Sequence, residues 1–148
     1  MPKIVNSKQY IHAVGRRREA VARVRLYVSG KVSVNGAELK KGEILVNDKP
    51  IQEYFRFSAY TPIYNKFFND TDSANKYVFS IKTQGGGLAG QLDAMILGMA
   101  RALDKLDREQ YHSVLRSKGY LTRDPRTRER RKVGMGGKAR RKKQSPKR

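Results

Sequence analysis

Gly15-Arg16-Arg17-Arg18 sets three guanidiniums in succession, with Arg23 and Arg25 a few residues on. Such groups fork paired N–H donors onto phosphate oxygens and stack on unpaired bases. A denser set closes the chain. Arg128, Arg130, Arg131 and Lys132, then Lys138, Arg140, Arg141, Lys142 and Lys143, form two bursts separated by Gly134-Met135-Gly136-Gly137. Glycine between the bursts lets an extended backbone follow the irregular groove of a folded RNA. From Leu121 to Arg148, thirteen Lys/Arg face only Asp124 and Glu129, which places more than half of the formal charge of +20 on this segment. With so little apolar content it cannot bury enough surface to fold alone, so it reads as a cationic arm that lies on a polyanion. A nuclear address or adhesion to anionic lipid would use the same charge. Lipid is disfavoured, because no Trp, Phe, Tyr or Leu follows Leu121 to enter a bilayer.

Bond-making chemistry has little to work with. There is no Cys, which removes disulfides, zinc ribbons and thiol catalysis and suits a reducing compartment. His12 and His112 are the only histidines, and neither has a Ser or carboxylate at a spacing that makes a triad. Both read as surface or packing residues. No third nitrogen ligand accompanies them, so no metal site is expected. Asp104, Asp107 and Glu109 stand among Lys105 and Arg108, and Asp104 with Arg108 has the favourable spacing of an intrahelical pair. The glycine turn Gly85-Gly86-Gly87 lies between a strand and a helix, where backbone N–H groups and the helix dipole can hold a phosphate. No Lys-Ser/Thr pair follows it, so it is not a nucleotide P-loop, and the dinucleotide spacing fails as well. A tight strand-to-helix connection and an RNA-phosphate contact both stay open for it. No cofactor and no small-molecule substrate are expected.

The elements that must position these residues follow from length and patterning. The chain has 148 residues, enough for one domain plus an extension. Met1 to Tyr120 carries twenty Lys/Arg against eleven acids, so the folded part is itself basic, which favours nucleic acid over a merely solvated face. No apolar run is long enough to span a membrane and the N-terminus lacks an apolar signal core, so a soluble intracellular protein is expected. Residues 1–8 read as an N-terminal extension, 9–120 as a globular domain and 121–148 as the extended basic tail.

Within the domain, Gln9 to Val14 alternates as a strand. Ala22, Val24, Leu26 and Val28 share one face of a second strand, with Arg23, Arg25 and Tyr27 on the other. Ser29-Gly30 predicts a hairpin turn from there into Lys31 to Val34, which Asn35-Gly36 ends. Pro50 opens a short helix through Ile51, Tyr54 and Phe55. Thr61-Pro62, as a cap followed by proline, starts two helical turns through Ile63, Lys66 and Phe67 that close at Asn69-Asp70. Tyr77 to Lys82 alternates as a strand. Leu88, Leu92, Met95, Ile96, Met99, Leu103 and Leu106 make the strongest helical stripe, and Gly98 within it implies a close neighbour at its backbone. Asp107 with Gln110 resembles a capping box for a last helix carried by Tyr111, Val114 and Leu115 and stopped by Gly119.

Four segments, taken jointly, resemble one family: Gly15-Arg16-Arg17-Arg18 leading into Ala22-Arg23-Val24-Arg25-Leu26; Gly30-Lys31-Val32-Ser33-Val34-Asn35-Gly36; Gly85-Gly86-Gly87-Leu88-Ala89-Gly90-Gln91; and Leu121-Thr122-Arg123-Asp124-Pro125-Arg126 through Glu129-Arg130-Arg131-Lys132. In this order they resemble small-subunit ribosomal protein nine of the bacterial or organellar type, over Tyr10 to Arg148. The resemblance implies an α+β fold, a small mixed sheet with helices on one face, like the second domain of ribosomal protein S five. It also implies a left-handed β-α-β crossover, an exception to the usual hand. The implied role is that of a structural constituent, not an enzyme. Its partners would be 16S-type rRNA in the head of the small subunit, neighbouring head proteins and the anticodon stem-loop of the peptidyl-site tRNA.

By that resemblance, rRNA would be met by Arg16, Arg17, Arg18, Arg23, Arg25, Gly85, Gly86, Gly87, Arg123, Arg126, Arg128, Arg130, Arg131, Lys132 and the second burst from Lys138 to Lys143. The tRNA would be met by Lys147 and Arg148. The family's tail commonly ends Gln-Phe-Ser-Lys-Arg, whereas this one ends Gln144-Ser145-Pro146-Lys147-Arg148. The terminal basic pair is kept, the aromatic ring is absent, and Pro146 favours an extended path. The expected place is the ribosome, in a cytoplasm or an organelle. Two rival readings are the protein subunit of another RNA-processing ribonucleoprotein and, against the absent catalytic groups, an RNA-modifying enzyme.

Overall fold

A computed structural model of the chain describes residues 10–28, 31–34 and 37–133. It is an α+β structure built on a five-stranded mixed sheet and four helices. Strands β1 (Ile11–Arg17), β2 (Ala20–Tyr27), β5 (Ile44–Val46), β6 (Lys49–Pro50) and β7 (Val78–Gln84) lie in the order β1-β2-β7-β5-β6. β5 runs parallel to β7, and the other neighbours are antiparallel. β3 (Lys31–Val34) and β4 (Ala37–Lys40) form a separate two-stranded sheet. The helices are α1 (Ile51–Tyr54), α2 (Thr61–Thr71), α3 (Leu88–Leu106) and α4 (Arg108–Ser117).

The period-two pattern of β2 sends Ala22, Val24 and Leu26 to one side, where they are fully buried with Phe79 and Ile81 of β7 and Ala13 of β1. α3 lies across this side and buries Leu92, Met95, Met99 and Leu103 into it. Each such side chain contributes about 1.5–3 kcal/mol relative to exposure. Tyr64, Phe67 and Phe68 of α2, Ile51 beside Phe55, and Tyr111 and Leu115 of α4 join the same core. The helices therefore share one sheet face, as the resemblance implied. Among the described residues the opposite face is covered at one end, where Val32 and Leu39 of the β3–β4 pair cluster with Tyr27, Val78 and Leu45.

Several local expectations hold. Pro50 precedes α1, Gly119 ends α4 with φ of 76°, and the Asp107 side chain accepts the Gln110 N–H at 3.1 Å as an N-cap. Gly98 does have a close neighbour, since a Cβ there would lie 2.6 Å from Val24 Cγ2.

Others are corrected. No hairpin joins β2 to β3: β2 is hydrogen-bonded on both edges, to β1 and β7, and has no edge left for β3, which pairs with β4. The linking residues 29–30 and 35–36 lie outside the described residues, as does the expected extension 1–8. Val28 is exposed and Tyr27 buried, because the β3–β4 pair covers the tyrosine's side. α2 runs on to Thr71 and buries Tyr64, Phe67, Phe68 and Thr71, leaving Ile63 and Lys66 outward. A 3-10 turn at Ser58–Tyr60 leads into it, so Thr61 is the first helical residue and not its cap. Asp104 does not pair with Arg108, which opens a new helix. It holds His112 Nδ1 at 2.7 Å across the α3–α4 junction, so His112 does have a carboxylate partner.

Candidate nucleic-acid interface

The alternation that buries Val24 turns Arg23 and Arg25 to the helix-free face. In the register across β1, β2 and β7, Val14, Arg23 and Lys82 form one row, and His12, Arg25 and Ser80 the next. Arg16 stands opposite Val21 in a third row, which Gln84 completes. β1, β2 and β7 contain no Asp or Glu. Arg23 and Lys82 are cross-strand neighbours of like charge, an arrangement that destabilises a sheet by some tenths of a kcal/mol. Among the described residues, Arg16, Arg23, Arg25 and Lys82 make no ion pair. The Arg25 guanidinium carbon lies 4.8 Å from the centre of the Tyr10 ring, which in turn lies against Tyr27 with centroids 5.7 Å apart. The surface is a shallow cationic platform with a stacking edge, suited to phosphates and unpaired bases.

Arg17 does not belong to it. One residue out of phase with Arg16, it points to the helix side, and its side chain is only 13% exposed. Its Nε faces Asp93 Oδ2 at 3.4 Å, its Nη2 faces Asp124 Oδ2 at 3.0 Å, and its Nη1 donates to the Arg126 carbonyl at 3.1 Å. Arg18 occupies the β1–β2 turn with φ of 50° and is exposed.

The three glycines divide their work. A Cβ on Gly85 would lie 2.5 Å from the Glu19 carbonyl oxygen and one on Gly86 3.1 Å from Ala20 Cβ, so both are required where the loop presses on the β1–β2 turn. Their φ values of 77° and 61° demand glycine as well. Gly87 has open space beside it and caps α3 without a side-chain bond. It opens on a cleft of about 490 Å³ whose lining includes Arg17, Arg18, Thr127 and Arg128, together with the acids Glu19 and Asp93. Behind the loop, Gln91 Nε2 donates to the Gly85 carbonyl at 3.1 Å, and Tyr54 Oη donates to Gln91 Oε1 at 2.6 Å. Asn47 ties Tyr54 and Thr83 into the same network.

The basic segment does not leave the body at Leu121. Tyr120 packs on Phe67 and donates to Asp70 Oδ2 at 2.8 Å, and Leu121 is partly buried against the core. Burial and the Asp70 carboxylate push the Tyr120 hydroxyl up to about 12. Asp124 accepts from Arg126 through Nη2 at 2.6 Å, Nε at 3.0 Å and the backbone N–H at 2.9 Å. These bonds, with the Arg17 charge, hold its carboxyl well below the usual carboxylate range. Arg123, Arg128, Arg130 and Lys132 are exposed. Arg131 is half-buried, and its Nε has no hydrogen-bond partner among the described residues. Lys138, Arg140, Arg141, Lys142, Lys143, Lys147 and Arg148 lie outside the described residues.

Sequence reasoning thus names Arg16, Arg23 and Arg25, which the structure brings together. It misses Lys82, His12 and Tyr10 beside them, although strand parity carries the signal. It also does not foresee that Arg17 faces inward. Among the described residues no three His, Cys, Asp or Glu gather as a metal site, and no helix is long and apolar enough to cross a membrane.

The profile of the family described as ribosomal protein S9/S16 matches residues 15–148. The small ribosomal subunit protein uS9 of Trichormus variabilis (strain ATCC 29413 / PCC 7937) is 44% identical over 122 residues, which cover 82% of this chain and 80% of that protein. The uS9 proteins of Dehalococcoides mccartyi and Maridesulfovibrio salexigens are 42% and 39% identical, over 89% and 88% of this chain and 91% and 92% of their own lengths.

Proposed function

The chain belongs to the ribosomal protein S9/S16 family, and from that premise we propose how its surfaces serve a small ribosomal subunit. It is a ribosomal protein, not an enzyme, and works in translation as part of that particle. Its task is electrostatic positioning of RNA. The open sheet face docks on 16S-type rRNA of the head. Arg16, Arg23, Arg25 and Lys82 take phosphates there, and Arg25 on Tyr10 offers a surface for an unpaired base. The cleft beside Gly87, with Arg18 and Arg128, takes a further phosphate at the start of α3. Beyond Arg126 the tail follows rRNA inward through Arg128, Arg130, Arg131, Lys132 and the second burst. Lys147 and Arg148 reach the anticodon stem-loop of the peptidyl-site tRNA, adding charge-assisted contacts that slow its release. Neighbouring head proteins complete the setting.

The observation that carries this reading is the helix-free face itself, where like charges stand side by side without an acid to balance them. That arrangement costs stability in isolation and gains it on a polyanion. The triple variant Arg23→Ala, Arg25→Ala, Lys82→Ala is expected to keep its circular dichroism. The slope of log affinity against log salt, for a fragment of the 16S 3′ major domain, should become shallower by about two to three, roughly one unit for each phosphate no longer neutralised. An unchanged slope would remove this face from the interface. For the tail end, subunits lacking Lys147 and Arg148 should assemble and lose peptidyl-site tRNA faster; equal off-rates would refute that contact.

A further inference from the structure

Arg17 sits where three separate parts of the chain converge: the end of β1, the first turns of α3, and the segment that leads into the basic tail. Its three nitrogens are each directed to a different oxygen, on Asp93, Asp124 and the Arg126 backbone. A planar guanidinium with five N–H donors can serve three acceptors at fixed angles, which an ammonium cannot. Asp124 is one of only two acids between Leu121 and Arg148, so one of the few negative charges of the tail is committed to the body. Its carboxylate also grips Arg126 by side chain and backbone.

We infer that Arg17, Asp124 and Arg126 form a latch that sets the direction in which the basic tail leaves the domain before any RNA is bound. Arg17 borders the cleft beside Gly87 but is a positioning residue in this scheme, because its donors are already directed to protein oxygens and its side chain is mostly covered. Upstream, Tyr120 on Phe67 and its bond to Asp70 hold the segment against α2, so Tyr120 and the latch pin it at two points. Thr127 and Arg128 then line the cleft beside the α3 N-terminus, delivering the tail next to the glycine turn. A tail launched from a fixed point samples fewer directions, and the conformational cost of threading it into RNA falls accordingly. The inference rests on the proposed rRNA reading for its purpose, though not for its geometry.

The chain has no cysteine, so a spin-label pair can be introduced cleanly at Ser113→Cys on α4 and Thr127→Cys in the tail. The free protein is expected to give one narrow inter-label distance. The double variant Arg17→Met, Asp124→Asn conserves net charge and should broaden that distance while leaving the circular dichroism of the domain intact. Arg17→Lys, which keeps the charge and loses the fork, should also broaden it. Affinity of the double variant for the 16S fragment should fall on the order of tenfold with an unchanged salt slope, as follows if about a tenth of molecules hold the binding-competent direction. Equal distance distributions in the parent and double variant would overturn the latch. Broadening without loss of affinity would overturn its positioning role. Should the parent fail to bind the fragment, the rRNA reading falls, while the distances still decide the latch.

Discussion

Gly15 of β1 and Gly98 of α3 meet backbone to backbone: a Cβ on Gly15 would lie 2.5 Å from the Gly98 amide nitrogen and 1.8 Å from the Ala94 carbonyl oxygen. The helix can approach β1 this closely only because both residues lack side chains. Alanine inside a helix ordinarily gains about 1 kcal/mol over glycine. Gly98→Ala is instead expected to lose about 1–3 kcal/mol in urea denaturation, because its methyl would strike Val24 Cγ2 at 2.6 Å. Gly15→Ala should cost more than about 3 kcal/mol, since rigid backbone stands in its way.

The same approach protects the sheet edge. Arg101 Nη1 donates to the Val14 carbonyl at 2.8 Å and Lys105 Nζ to the His12 carbonyl at 2.9 Å, covering the outer acceptors of β1 with charged side chains. The double variant Arg101→Met, Lys105→Met should lose about 1–3 kcal/mol in total and self-associate as concentration rises, read by sedimentation velocity. A variant that stays monomeric at every concentration would show that the edge needs no such cover.

Alkaline pH should release the tail segment. Tyr120 titrates at about 12 in the fold against 10.0 for an ordinary tyrosine, and the buried Tyr111, bonded to Tyr77, is raised further. A raised value means that the native state favours the neutral phenol. The stabilisation is therefore complete below about pH 10 and is lost as pH climbs through about 12. Tyr111 and Tyr120 should ionise well above pH 10 in an ultraviolet absorbance titration, together with unfolding. Tyr120→Phe should cost about 1.5–3 kcal/mol at neutral pH and remove part of that alkaline dependence.

Asn47 is held at φ of 50° in the turn between β5 and β6, with Asp48 at 64°, the signature of a type I′ hairpin. Its side chain also accepts the Thr83 N–H at 2.9 Å and donates to the Thr83 carbonyl at 3.1 Å. Asn47→Gly keeps the backbone and removes those bonds, at an expected cost of about 1–3 kcal/mol. Asn47→Ala adds left-handed strain and should be worse by about 1 kcal/mol in thermal unfolding.

What is legible along the chain is whatever repeats with a period or marks an end. The stripe from Leu88 to Leu106, the alternation of Ala22, Val24 and Leu26, the Asp107 cap and the Gly119 stop are local features that appear in the fold, except that the ends Leu88 and Val28 are exposed. The β2–β3 hairpin fails because a turn signal cannot know that β2 already has β7 on its second edge. The second helix is expected to close at Asn69-Asp70, yet α2 runs on to Thr71, whose hydroxyl bonds back to the Phe67 carbonyl at 2.8 Å inside the core.

Charge and composition alone establish that this chain carries a basic body and a more basic tail, because net charge adds up without regard to fold. Which cations face outward is settled by tertiary structure. Strand parity puts Arg16 on the open face and Arg17 among carboxylates, although the two are adjacent and chemically identical. The physical reason is that an ion pair with Asp93 and Asp124 requires residues more than seventy positions apart to converge, and only the packing of α3 and the tail segment over β1 brings them there.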